Sequence, residues 1–283
     1  MKSKQYKLGE TVIEIRSTFE IADVAPYTDY LCFGLKPDYI AEFEVVDSLP
    51  SKPDNAKKTG EFCYMSQRDD CYYVHYWDSD SKDFYACRIA SDDKDCCKVL
   101  ISKKYEKEIW TRLILYLIGI DEILAKNNSA IFHSSYLDFG GEALLFTGPC
   151  GMGKSTQADL WNKYRNLEIL NGDKSLLYEK DGVYMAGGLP YSGSSNYCVN
   201  KALPIKAIVK LSQAPYNKVE KLDTLNGFLN VYKGCYPAIN SQNLINKQMD
   251  FAEKLSAHVD VYHLECLPDE SAVICLEREL NGK

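Results

Sequence analysis

The chain has 283 residues, 46% of them hydrophobic, with 33 basic and 40 acidic side chains and a net charge of −7. That length builds one large or two ordinary domains. The acidic balance argues against general binding to nucleic acid or to an anionic membrane, both of which need a basic surface.

The first ten residues carry no apolar signal core, and the longest apolar stretch, 113–120, is too short to span a bilayer. Eleven cysteines occur without a Cys-x-x-Cys pair, a usage that fits free thiols in a reducing compartment. A cytoplasmic protein is expected.

Residues 1–104 read as short strands. The segments 11–16, 41–45, 61–65, 72–77 and 84–89 alternate, with polar connectors at 48–57 and 78–83. They predict an antiparallel β unit joined by hairpins. His75 falls inside an aromatic strand and reads as a packed or edge histidine. From 103 to 126 the period changes: Ile109, Leu113, Leu117, Ile120 and Leu124 are among the apolar residues that recur at helical spacing. One amphipathic helix is expected to link the β unit (1–104) across 105–128 to a second domain (129–283).

That second domain opens with strands at 130–138 and 142–147, joined as a hairpin by Gly140 and Gly141. A helix is predicted at 155–164, with Trp161 in the core, and a strand at 167–171 ends at Gly172-Asp173. A hairpin follows at 175–179 and 183–186, then a glycine- and serine-rich loop from Gly187 to Ser195 and a buried strand at 205–211. Helices at about 223–233 and 241–257, a strand at 259–264 and a helix at 268–280 complete the chain, with Pro268 in the last helix's first turn and Asp269 and Glu270 near its dipole.

Between the second hairpin strand and the helix lies the sequence Gly148, Pro149, Cys150, Gly151, Met152, Gly153, Lys154, Ser155, Thr156, which matches the phosphate-binding Walker A pattern G-x-x-x-x-G-K-[ST]. Glycines let backbone N–H groups converge on one anion, and the helix behind them adds its dipole and free donors. Lys154 would reach the β- and γ-phosphates, and Ser155 would bind the Mg²⁺ that bridges them. ATP and Mg²⁺ are therefore the expected cofactors. Asp173 ends a strand beside this loop, where a carboxylate serves as a metal ligand or takes a proton from a hydroxyl.

Three pieces together, His133, the loop 148–156 and Asp173 in Asn-Gly-Asp-Lys-Ser, resemble the HPr kinase/phosphorylase family, which shares a core with phosphoenolpyruvate carboxykinase. The resemblance covers about 130 to 283. It implies an α/β (α+β) nucleotide-binding domain behind the β-rich N-terminal one. It also implies Asp173 as the general base on the acceptor hydroxyl, His133 near the γ-phosphate or Asp173, and a possible homo-oligomer. Two departures matter. Lys174 stands where the family often has a second aspartate, and 187–195 lacks the family's glutamate and arginine-glycine signature, which disfavours HPr itself as substrate.

The reading is an ATP- and Mg²⁺-dependent kinase acting on a hydroxyl of a peptide, a protein or a small molecule. A carboxykinase-like lyase and a non-catalytic ATP-binding module stay open beside it. Lys201, Lys206 and Lys210 are further candidate cations, and the loop 187–195 is a candidate acceptor lid.

Overall fold

The computed structural model describes residues 1–22, 24–108, 111–193, 197–237 and 241–282. They separate into two compact units, one formed mainly by 1–123 with 241–244, the other by 124–237 and 245–282.

In the first unit the alternating segments become β1 (Lys2–Leu8), β2 (Thr11–Ser17), β3 (Leu31–Cys32), β4 (Tyr39–Val46), β5 (Lys57–Lys58), β6 (Cys63–Arg68), β7 (Cys71–Asp78), β8 (Asp83–Ala90) and β9 (Cys96–Ser102). They form one sheet in the order β3-β1-β2-β4-β9-β8-β7-β6-β5. The expected antiparallel unit is corrected to a mixed sheet, because β4 pairs parallel with both β2 and β9. Parallel neighbours need a long crossover, and the excursion through β5 to β8 supplies it. The strand β9 escapes the sequence reading, yet it alternates Cys97, Val99 and Ile101 into the core.

The single helix expected over 103–126 is also corrected. A 3-10 turn (Lys103–Glu108) precedes α1 (Thr111–Leu117) and α2 (Ile120–Lys126). They part at Gly119, whose φ of 69° breaks the helix. A side chain there would collide with the guanidinium of Arg88. Arg88 is buried and grips Glu122 with two hydrogen bonds, Nη1 to Oε2 at 2.9 Å and Nη2 to Oε1 at 2.7 Å, and Nη1 also donates to Ile118 O at 2.8 Å. A buried pair is costly to break from one side. Glu122→Ala is expected to destabilise the protein by about 3–5 kcal/mol, and the double change Glu122→Ala with Arg88→Met by less than Glu122→Ala alone. Urea unfolding of both variants checks this.

The second unit contains β10 (Ser129–Phe139), β11 (Glu142–Thr147), α3 (Lys154–Arg165), β12 (Ile169–Asn171), β13 (Lys174–Lys180), β14 (Val183–Gly187), β15 (Ala202–Gln213), β16 (Lys218–Lys221), α4 (Thr224–Gly234), α5 (Gln242–His258), β17 (Asp260–Cys266) and α6 (Glu270–Asn281). Two long strands divide their pairing. β10 pairs antiparallel with β13 through His133 and with β11 from Ser134 onward. β15 pairs antiparallel with β14 at its start, and then parallel with β11 and β17.

One layer of the core includes Phe132, Leu145, Ile208, Val231 and Leu255. The other includes Phe146, Trp161, Val209, Val273 and Leu276, so Trp161 is a core residue. At the last helix Asp269 is the N-cap, its side chain accepting from Ser271 N, so Pro268 precedes the helix instead of lying in its first turn. The cap accounts for this: an Asp carboxylate can satisfy an orphan N–H of the first turn, and a proline ring cannot.

Candidate active site

The corner where β10 changes partner positions the site. His133 is the last residue of β10 paired with β13, opposite Lys174, and Ser134 is the first paired with β11, opposite Thr147. At the same level β12 ends and β13 begins, so Gly172 and Asp173 bridge two strands. Here β11 also gives way to the loop 148–153 and then α3. Residues far apart in the chain therefore meet, because β10 exchanges β13 for β11 at one point.

The loop has glycines where the backbone turns left-handed: φ is 149° at Gly148, 77° at Gly151 and 105° at Gly153. Gly153 caps α3 without a side-chain hydrogen bond to its first turn, the arrangement in which a helix start offers its N–H donors to an anion. Ser155 and Thr156 are exposed in that turn, as are Pro149 and Cys150 in the loop. Lys154 is buried and folds over its own loop, donating from Nζ to Gly148 O at 2.9 Å and Pro149 O at 3.2 Å. Burial lowers the ammonium's pKa, while the Cys150 and Asp173 side chains oppose that shift.

His133, Cys150, Gly151, Gly153, Lys154, Ser155, Thr156, Gly172 and Asp173 line one cavity of about 290 Å³. Across the loop a second, larger cavity of about 520 Å³ shares Gly151, Gly153 and Thr156 and adds Met152, Gln213, Pro215, Cys266 and Pro268. Gln213 ties this side down, donating from Nε2 to Gly151 O at 3.2 Å.

His133 and Asp173 touch. His133 Nδ1 lies 3.2 Å from the Asp173 carbonyl oxygen and 3.5 Å from Oδ1. A carbonyl only accepts, so Nδ1 carries the proton in that contact. Burial lowers the His133 pKa, Lys154 lowers it further, and Asp173 opposes both. Burial and Lys154 thus favour the uncharged ring.

The residue that holds Asp173 is one the sequence reading missed. Asn171 is fully buried. Its Oδ1 accepts from both Asp173 N and Lys174 N at 3.0 Å, and its Nδ2 donates to Tyr191 O at 3.2 Å. The Asn-Gly-Asp order is the available signal, since Asn closes turns on the backbone two residues ahead. Ser135 adds a bond from Oγ to Gly172 O at 3.1 Å, and Thr147 Oγ1 donates to His133 O at 2.9 Å.

The loop after β14 closes over the carboxylate. A Cβ placed on Gly193 would stand 2.8 Å from Asp173 Cγ, so a larger residue there would require the carboxylate to shift. Ser194 and Ser195, the far end of the expected lid, lie outside the described residues. Lys174 sits between two rings, its Nζ 5.2 Å from the Tyr191 centroid and 4.8 Å from that of Tyr236, and 4.0 Å from Asp173 Oδ2.

Of the three candidate lysines, Lys201 pairs with Asp138 at 2.6 Å and Lys206 with Glu142 at 3.3 Å, both at the end of the sheet away from the loop. Lys210 lies opposite Thr147 at the loop end. His75, fully buried in the first unit, bonds Pro50 O and packs against Phe84.

No protein-family model and no curated protein matches the chain. Among solved structures it is similar to the HPr(Ser) kinase/phosphatase from Coxiella burnetii, at 12% identity and a TM-score of 0.32, over 54% of this chain and 93% of that one. No helix of the described residues is long and apolar enough to cross a membrane.

Proposed function

We propose that the chain is an ATP- and Mg²⁺-dependent kinase that transfers the γ-phosphoryl group to a hydroxyl. One observation carries this reading: a carboxylate, Asp173, lines the same cavity as the loop lysine Lys154 and the helix-start hydroxyls of Ser155 and Thr156.

The residues suit the ligand. Three left-handed glycines and an uncapped helix start give phosphate oxygens a set of N–H donors. Lys154, now held by two carbonyls of the loop, would exchange them for phosphate oxygens. The larger cavity on the other flank, apolar at Met152, Pro215 and Pro268, suits the nucleoside. Ser155 and Asp173 are hard oxygen donors, and Mg²⁺ takes one or two such ligands and completes its shell with phosphate and water. The bound ion would neutralise phosphate charge.

The chain's own groups then do the rest. Lys154 offsets charge on the phosphates, Asp173 takes the acceptor's proton, and Asn171 keeps Asp173 in place. His133, protonated at Nδ1, fixes the strand-end turn through the Asp173 carbonyl. Such catalysis is mostly positioning and charge neutralisation.

Calorimetry with ATP and Mg²⁺, followed by a labelled-ATP screen of hydroxyl compounds and peptides, tests the assignment. Nucleotide binding with labelled product is expected; failure to bind ATP would overturn it. Gly193 offers a sharper check. A methyl group at that position forces the Asp173 carboxylate to move, and misplacement by about 1 Å costs about 10²-fold. Gly193→Ala is expected to lower transfer by that order with nucleotide affinity within about twofold of the wild type, read as turnover at saturating ATP against binding by calorimetry.

A further inference from the structure

We propose that Gln157 selects the base of the nucleotide: its side-chain carbonyl accepts a hydrogen bond from the exocyclic amino group of adenine, and the cavity wall around it disfavours a base with a carbonyl oxygen at that position. The proposal rests on the nucleoside placement above and names the group that would make the site one for ATP.

Gln157 lies at the end of the first turn of α3 and is 2% exposed. It lines the larger cavity together with Gln213, Ala214, Pro215, Cys266 and Pro268. Its Nε2 donates to Cys266 Sγ at 3.3 Å, which ties the amide to the last residue of β17. Its Oε1 is buried and has no hydrogen-bond partner. A buried carbonyl oxygen without a donor is unfavourable, and a ligand that brings an N–H into the cavity relieves it.

The donors beside Gln157 are already engaged. Gln213 Nε2 donates to Gly151 O. Ala214 N donates to Cys266 O at 3.2 Å, and Leu267 N to Asn217 Oδ1 at 2.9 Å. Pro215 and Pro268 carry no N–H at all. The wall built from the ends of β15 and β17 therefore joins an unused acceptor to donors that already have partners.

That pattern separates the purines. Adenine presents an amino group with two N–H donors, where guanine and hypoxanthine present a carbonyl oxygen. The amine satisfies Gln157 Oε1. A carbonyl oxygen in its place would face another acceptor and find these neighbouring donors taken. The start of α3 thus serves both ends of the nucleotide, with Lys154 at the phosphates and Gln157 at the base.

Calorimetry on the full chain with Mg²⁺ tests this with three probes: ATP, purine riboside triphosphate, which lacks only the amino group, and inosine triphosphate, which has an oxygen in its place. ATP is expected to bind about five- to tenfold more tightly than the purine analogue, the effect of one neutral hydrogen bond. It is expected to exceed inosine triphosphate by about tenfold or more, since a mismatched polar group is left unpaired. Gln157→Leu is expected to bring ATP down to the affinity of the purine analogue, and Gln157→Glu, which keeps an oxygen acceptor, to retain a preference for ATP. Thermal unfolding controls for folding of the variants, and the comparison of nucleotides on the wild type needs no variant.

Equal binding of ATP and the purine analogue overturns the proposal and leaves the kinase reading standing. Gln157 Oε1 would then be left to the indole N–H of Trp161, also buried and unpaired one turn further along α3. Tighter binding of inosine triphosphate than of ATP overturns it as well, because the amide would then present Nε2 to the base. So does a preference for ATP that survives Gln157→Leu. Absence of binding by all three nucleotides overturns both readings.

Discussion

Asp173→Asn is expected to leave ATP affinity within about twofold of the wild type and to lower phosphoryl transfer about 10²–10⁴-fold, the usual worth of a general base. The substitution keeps the size and shape of the side chain, and the backbone bonds that fix its position come from Asn171, which accepts from the amides of residues 173 and 174. What is lost is the acceptor for a proton, together with the 3.5 Å contact to His133 and the 4.0 Å contact to Lys174.

His133 does not compensate. Its pKa is already lowered by burial and by Lys154, and Asp173 is what pulls it up. Removing that carboxylate lowers it further, so the substitution does not favour a cationic histidine. Calorimetry for binding and labelled-ATP turnover for transfer separate the two effects. Full transfer by the variant would take the role of base away from Asp173.

Lys154→Ala acts on the other half of the site. The ammonium is buried, and its Nζ donates to two loop carbonyls within 3.2 Å, contacts that phosphate oxygens would replace. A hydrogen bond to a charged group is worth about 1.5–3 kcal/mol, so ATP affinity is expected to fall about 10–150-fold. Transfer at saturating ATP is expected to fall a further 10²–10³-fold or so, the cost of one lost electrostatic stabiliser. Lys154→Arg should not restore transfer, because a planar fork cannot replace a compact point charge inside a tight loop. Unchanged ATP affinity in Lys154→Ala would remove the loop from nucleotide binding. Thermal unfolding of both variants controls for folding.

Local features of the second unit were legible in the chain. The hairpin at Gly140 and Gly141, the helix after the loop and the strand ending at Gly172 depend on short-range patterns, namely period-2 alternation, glycine turns and a helical run after Gly-Lys-Ser. The central strand β9 was not legible, because its placement between β4 and β8 depends on partners distant in sequence. The break at Gly119 was hidden by an apolar run that keeps helical spacing on both sides of it. Asn171 was hidden for a different reason. Its value lies in bonding two segments at once, the turn to Asp173 and the loop at Tyr191, and only the first of these is local.

By itself the sequence determined the pieces: a glycine loop opening a helix, an aspartate ending a strand, a histidine on the strand before the loop strand, and a lysine after the aspartate. Only the tertiary structure decided that these pieces share one corner. β10 exchanges β13 for β11 between His133 and Ser134, and that exchange brings the ends of β11, β12 and β13 together. It also decided that Lys174 stands between Tyr191 and Tyr236, and that Gly193 closes on Asp173. The physical reason is that strand pairing and close approach are set by hydrogen bonds and packing between segments tens of residues apart, for which a local pattern carries no signal.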